Sequence, residues 1–174
     1  AANGLDAILI AADHQQIVDA ARRFGADAYL TQEDHACGAD RAAEAARALF
    51  PAAEIVVNVQ ADEPFLHPRM IPLAIEPLED GSAWDIATLG CPSLNAEDRA
   101  SPFTVKIVRT ATGRALYFSR AVIPFPRYDR RASYLEHIGI YAFRGDKLQE
   151  FASLGPSPLE LAEGLEQLRA LEAE

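Results

Sequence analysis

Cysteine and lysine are scarce in this chain, with two copies each among 174 residues, and methionine and tryptophan occur once each. Cys37 and Cys91 lie far apart with no C-x-x-C spacing, which excludes a disulfide scaffold and offers no zinc pattern. No apolar run approaches the roughly 18 residues that a membrane span needs. The first residues carry neither the basic region nor the apolar stretch of a secretory signal. These absences predict a cytoplasmic protein without membrane insertion. Positive charge is also in deficit: 16 basic against 26 acidic side chains give a net charge of -10, which argues against a nucleic-acid-coating protein. With 49% hydrophobic positions and no internal repeat or flexible linker, residues 1–174 read as one domain with its own core.

The positive charge that is present is clustered. Residues 106–131 hold seven basic side chains (Lys106, Arg109, Arg114, Arg120, Arg127, Arg130 and Arg131) and one acid, Asp129, so this stretch sums to +6 and the rest to -16. Arginine's planar fork suits carboxylate and phosphate, so the island points to an anionic ligand.

The first third alternates strand and helix. Residues 7–11 form an apolar run, Asp13 is a candidate N-cap, Ile17, Ala20, Ala21 and Phe24 share a helical face, and Gly25 is a stop. A second strand over 28–30, an alanine-rich helix over 40–50 ended by Pro51, and a third strand over 55–59 follow. Crossovers of this kind predict a mostly parallel sheet with helices on both faces, with ligands beyond the carboxyl ends of the strands. Residues 31–41 and 60–64 would then share one rim. Beyond Gly81 the expected strands are 84–89, 105–109, 115–118 and 136–143, with a hairpin at 110–113 and an irregular loop over 119–131. Helices are expected over 145–154 and from Ser157-Pro158 onward, the last with a stripe of Leu159, Ala162, Leu165, Leu168 and Leu171.

A carboxylate just past a buried strand can hold Mg²⁺, which takes oxygen ligands and completes its shell with water and substrate phosphates. Asp62 has that position; it can equally cap a turn before Pro64. Gln60, at the strand end, can donate to a ligand or satisfy backbone.

The segment Val57-Asn58-Val59-Gln60-Ala61-Asp62-Glu63-Pro64 resembles the V-N-V-Q-G-D-E-P signature of the CMP-Kdo synthetases, the 3-deoxy-manno-octulosonate cytidylyltransferases. Residues 31–44 resemble T-x-x-x-H-x-S-G-T-D-R-x-x-E, and residues 115–124 resemble A-L-Y-F-S-R-A-x-I-P. The blocks H-I-G-I-Y-A-F-R at 137–144 and L-E-Q-L-R at 165–169 follow in order. The resemblance implies a three-layer, nucleotide-diphospho-sugar-transferase-like α/β fold with a smaller β-rich dimerisation region, and a homodimer. It also implies transfer of CMP from CTP to the acidic sugar Kdo, with release of pyrophosphate, for lipopolysaccharide biosynthesis.

By the same resemblance Asp62 holds Mg²⁺ and is catalytic, and Arg120 engages the sugar carboxylate. Gln60, His137, Tyr141, Glu166 and Gln167 line the sugar site. Gly38, Asp40 and Arg41 belong to the nucleotide side. The chain departs from the pattern at Cys37, Ala39 and Ala61, where the family has Ser, Thr and Gly, and at residues 101–106, where N-P-N-x-V-K is usual. It opens at what resembles the family's second βα unit, so the expectation is a partial chain lacking the phosphate-cradling N-terminal segment and the C-terminal end. The alternatives are CTP-dependent activation of another 2-keto sugar acid, such as a nine-carbon one, and a degenerate domain that serves as a non-catalytic partner subunit.

Overall fold

The computed structural model describes residues 4–63, 65–79, 81, 83–93, 96–127 and 133–173. The fold is mixed α/β, and its contacts divide into two compact units, residues 1–87 with 140–153 and residues 88–139 with 154–174.

The first unit opens with β1 (Ile10–Ala12), α1 (Gln15–Arg23) and β2 (Ala28–Leu30), and β1 pairs with β2 in parallel as the βα pattern requires. The capping residue differs from the expected one. His14, not Asp13, is the N-cap of α1, its ring accepting the Gln16 N–H, because the Asp13 carboxylate is engaged by Arg41. Gly25 ends the helix with φ of 79°, a conformation that glycine adopts without a Cβ clash. Helix α2 (Gly38–Leu49) packs on β1 and on β3 (Ile55–Val59) through Ala39, Ala43, Ala45 and Ala46, all buried, since alanine lets a helix approach a sheet closely.

The pattern of successive parallel strands stops at β3. This strand pairs antiparallel with the second half of β7 (Tyr134–Arg144), matching Asn58 to Tyr141 and Val56 to Phe143. Ile140, Tyr141, Ala142 and Phe143 are all buried, which explains their unbroken apolar run: this stretch is covered on both faces. Two elements had no clear signal in the sequence, α3 (Met70–Glu79), which carries Pro77 internally, and the short α4 (Ala96–Ala100). Strand β4 is Ile86–Ser93. Gly145 turns β7 directly into α5 (Gly145–Leu154), donating to the Glu54 carbonyl at 2.8 Å; a Cβ there would meet the Ala53 carbonyl oxygen at 2.0 Å.

In the second unit β5 (Lys106–Arg109) and β6 (Ala115–Ser119) form the expected hairpin, closed by Thr110 and Gly113, and β5 also pairs with the first half of β7. The described part of the 119–131 loop is irregular; residues 128–132 lie outside the described residues. The expected final helix is two helices, α6 (Pro158–Glu163) and α7 (Leu168–Glu172), because Gly164 adopts the left-handed conformation at φ 63° and ends the first. Of the expected stripe, Leu165 and Leu168 are buried against Ile107 and Phe118, with Leu171 packed at the edge. Leu161 stays 72% exposed.

Candidate active site

The first unit carries Gly38, Asp40, Arg41, Gln60, Asp62 and Tyr141 of the expected site; the second carries Arg120, His137, Glu166 and Gln167.

The rim expected at the strand ends of the first unit is present and tightly cross-linked. Thr31, buried just past β2, hydrogen-bonds the Ala12 carbonyl at the end of β1 through both its N–H and its hydroxyl. The Arg41 guanidinium, from the first turn of α2, donates to the Thr31 hydroxyl, to the Gln32 carbonyl at 3.0 Å and to the Asp13 carboxylate at 3.0 Å. One turn on, Glu44 accepts from the His35 ring and from the Gln32 N–H at 3.0 Å. Burial works to raise the Glu44 pKa, but these hydrogen bonds and the charges of His35 and Arg47 outweigh it, and the carboxyl lies below its ordinary range. The block T-x-x-x-H…D-R-x-x-E is thus largely a loop staple. Gly38 is exposed at the first residue of α2, and Cys37, in the N-cap position, makes no side-chain cap bond. Asp40 is half-buried on the same first turn.

Gln60 and Asp62 lie beyond the end of β3, in a turn closed by the Glu63 N–H on the Gln60 carbonyl at 3.2 Å. The Asp62 side chain is exposed, as a ligand for an ion shared with substrate must be. Among the described residues no group of three or more His, Cys, Asp or Glu could by itself enclose a metal. Mg²⁺ is commonly held by one or two carboxylates, with phosphate oxygens and water completing its shell, and the exposed Asp62 carboxylate can supply one such ligand. Tyr141 is buried on β7, its ring 6.1 Å from that of Phe143. Its cross-strand partner Asn58 leaves Nδ2 buried without a hydrogen-bond partner among the described residues.

In the second unit His137 is set edge-on to Phe118, with ring centroids 5.1 Å apart, and its Nε2 lies 2.9 Å from the Thr88 hydroxyl. Burial lowers its pKa to about 4, so it is neutral at pH 7 and supplies a hydrogen bond rather than a charge. Thr88 sits on β4, within the strand expected over 84–89, but its partnership with the His137 ring had no signal in the sequence. Glu166 and Gln167 form the connection between α6 and α7. Gln167 is 8% exposed, and its Nε2 has no hydrogen-bond partner among the described residues. A buried primary amide with unused donors is suited to a polar ligand group.

Arg120 is the most constrained of the expected residues. Its Nε donates to the Glu163 carbonyl at 2.7 Å, and its terminal nitrogens donate to the carbonyls of Pro102 at 2.9 Å and Gly164 at 3.2 Å. The basic island around it is not uniformly available to a ligand. Lys106 is fully buried, its ammonium donating to the carbonyls of Ser101, Thr104 and Arg120. Arg130 and Arg131 lie outside the described residues.

Along its whole length, residues 1–174, the chain matches the model of a family described as cytidylyltransferase. The chain belongs to this family. It is 42% identical over 164 residues to the 3-deoxy-manno-octulosonate cytidylyltransferase of Acaryochloris marina, covering 94% of this chain and 66% of that protein. It is 48% identical to the enzyme of the same name from Syntrophobacter fumaroxidans, covering 97% of this chain and 68% of the relative. A solved structure of CMP:2-keto-3-deoxy-manno-octonic acid synthetase complexed with CTP is 40% identical, with a TM-score of 0.90 over 98% of this chain and 70% of that one. The family resemblance and the α/β fold expected from the sequence motifs are borne out by these likenesses.

Proposed function

We propose that the protein is a nucleotidyltransferase of CMP-Kdo synthetase type, transferring CMP from CTP to the anomeric hydroxyl of Kdo and releasing pyrophosphate, as a step in lipopolysaccharide biosynthesis. The likeness to a CTP-complexed synthetase over 98% of the chain carries this reading.

Asp62 would hold Mg²⁺, whose charge neutralises phosphate oxygens as the bond to pyrophosphate breaks. The nucleotide falls to the first turn of α2, where Gly38 has no side chain to obstruct a base and Arg41, with Asp40 beside it, keeps the strand-end loops in register. On the sugar, Arg120 takes the carboxylate: three of its five N–H donors are engaged among the described residues, which leaves one on each terminal nitrogen. In the second unit neutral His137, Glu166 and Gln167 provide donors and acceptors for the sugar hydroxyls, and the motif resemblance adds Gln60 and Tyr141 of the first unit as sugar ligands.

A cytoplasmic homodimer belongs to the same reading. Among the described residues no helix is long and apolar enough to cross a membrane. The second unit leaves Phe103 at 90%, Phe125 at 81% and Leu161 at 72% exposure, apolar area suited to a second copy. Sedimentation across micromolar concentrations tests the dimer, and a monomer throughout rejects it.

The activity test incubates the protein with CTP, Mg²⁺ and a panel of 2-keto sugar acids while following pyrophosphate release and CMP-sugar formation. Product with Kdo is expected. Preference for a nine-carbon acid would reassign the substrate, and no product with any acid would overturn the catalytic reading in favour of a partner-subunit role.

A further inference from the structure

Outside the residues already assigned, the second unit contains a polar cluster centred on the half-buried Glu163, the last residue of α6, with Ser119 and Lys106 buried beside it. Its carboxylate accepts the Ser119 hydroxyl at 2.7 Å through one oxygen and the Arg120 N–H at 3.0 Å through the other. Its own carbonyl accepts Arg120 Nε at 2.7 Å. One residue therefore holds both the main chain and the guanidinium of Arg120.

The surroundings reinforce this grip. Ser119, 2% exposed, also accepts the Ala121 N–H at 3.0 Å, so the peptide on each side of Arg120 is fixed. Lys106 holds the Arg120 carbonyl at 2.6 Å. The left-handed turn at Gly164 ends α6 directly after Glu163 and presents the Gly164 carbonyl to the guanidinium. Burial alone would raise the Glu163 pKa; the bonds from Arg120 and Ser119, with the positive charges of Arg120 and Lys106, outweigh it and keep the group ionised. An arginine whose rotamer is set before a ligand arrives loses less freedom on binding and presents its remaining N–H groups in a fixed plane.

We propose that Glu163 is a positioning residue for acidic-sugar binding, acting on the substrate only through Arg120, which it holds in a preset orientation. The inference rests on the reading of Arg120 as the sugar-carboxylate contact. Neither Glu163 nor Ser119 needs to touch the substrate.

The test measures KM for Kdo, KM for CTP and kcat in wild type, Glu163→Gln and Ser119→Ala, together with the Nε–H resonance of Arg120 by NMR. Glu163→Gln keeps the shape of the side chain and removes its charge. It should raise the KM for Kdo by about ten-fold, the loss expected for a misplaced charge-assisted contact, with the KM for CTP moving less than about two-fold. The Arg120 Nε–H should also exchange faster with solvent. Ser119→Ala, which removes the hydroxyl's bonds to the Glu163 carboxylate and from the Ala121 N–H but no charge, should move the same quantities in the same direction by less, and it decides the matter if Glu163→Gln does not fold. Equal weakening toward both substrates, or an unchanged KM for Kdo with faster Nε–H exchange, overturns the proposal. Failure of the underlying reading is distinct: wild type would then not use Kdo, or Arg120→Lys would leave its KM unchanged.

Discussion

Arg169 and Glu160 face each other as a buried two-point ion pair, with Nε 2.8 Å from one carboxylate oxygen and a terminal nitrogen 2.7 Å from the other. Glu160 simultaneously accepts the Ser157 N–H at 3.0 Å in a capping box at the start of α6. The pair thus ties the start of α6 to α7 and fixes the intervening connection that carries Glu166 and Gln167. Arg169→Ala leaves a buried carboxylate without its counter-charge and should cost roughly 3–5 kcal/mol. Urea unfolding measures it; a change below about 1 kcal/mol would mean that water replaces the arginine.

Asp62→Asn keeps the size of an exposed side chain and removes its charge. The expected outcome is an unchanged melting temperature with most turnover lost, partly restored by raising Mg²⁺. Unaltered activity at limiting Mg²⁺ would remove Asp62 from the metal role.

Arg120→Lys retains one positive charge and loses the planar fork, and a lysine's three N–H donors cannot serve a carboxylate in addition to the carbonyls of Glu163, Pro102 and Gly164. The KM for the sugar acid should rise about ten-fold or more, with a much smaller change for CTP. Equal rises for both substrates would make Arg120 a general support of its loop.

His137 supplies a pH prediction with a definite sign. Burial lowers its pKa from the ordinary 6.5 to about 4, so between these values the unfolded chain binds a proton that the folded chain refuses. Its contribution to stability is therefore fully present above about pH 6.5 and is lost as the pH falls toward 4. His137→Gln should flatten the stability profile in that window. A ring that titrates near 6.5 by NMR would contradict the burial seen here.

The alternation of strand, helix and glycine in the first third was legible because each element carries its own local signal, and β2, β3 and α5 fall at the expected residues. The pairing of β3 with β7 was not, since the partner lies some eighty positions away and alternation does not encode direction. Asp13 looked like a cap because its type suits one; a distant arginine claimed it. Leu159 to Leu171 read as one helix because the apolar spacing survives the break at Gly164, whose φ is a property of the folded chain. At the site, the motif blocks marked residues whose chemistry is unusual for their position. Glu163, Thr88 and the buried role of Lys106 stayed hidden, because an acid at a helix end and a lysine in a basic island look solvated until the carbonyls around them are placed.

The burial of Lys106 has a consequence for the chemical reactivity of the molecule. Of its two lysine side chains, Lys147 is half-buried and within 2.9 Å of Glu150, whereas Lys106 has no exposed surface. Burial lowers the pKa of Lys106, and the hydrogen bond to Glu150, followed by the charges of Asp85 and Glu150, raises that of Lys147, so at a given pH the larger fraction of reactive free amine belongs to Lys106. Access reverses that order: an acylating reagent reaches Lys147 in the native protein and meets Lys106 only when the β5–β6 hairpin opens. Acylation of Lys106, read by peptide mass, is therefore a clock for the opening of the second unit, built in by a sequence that spends half of its lysines on three main-chain carbonyls.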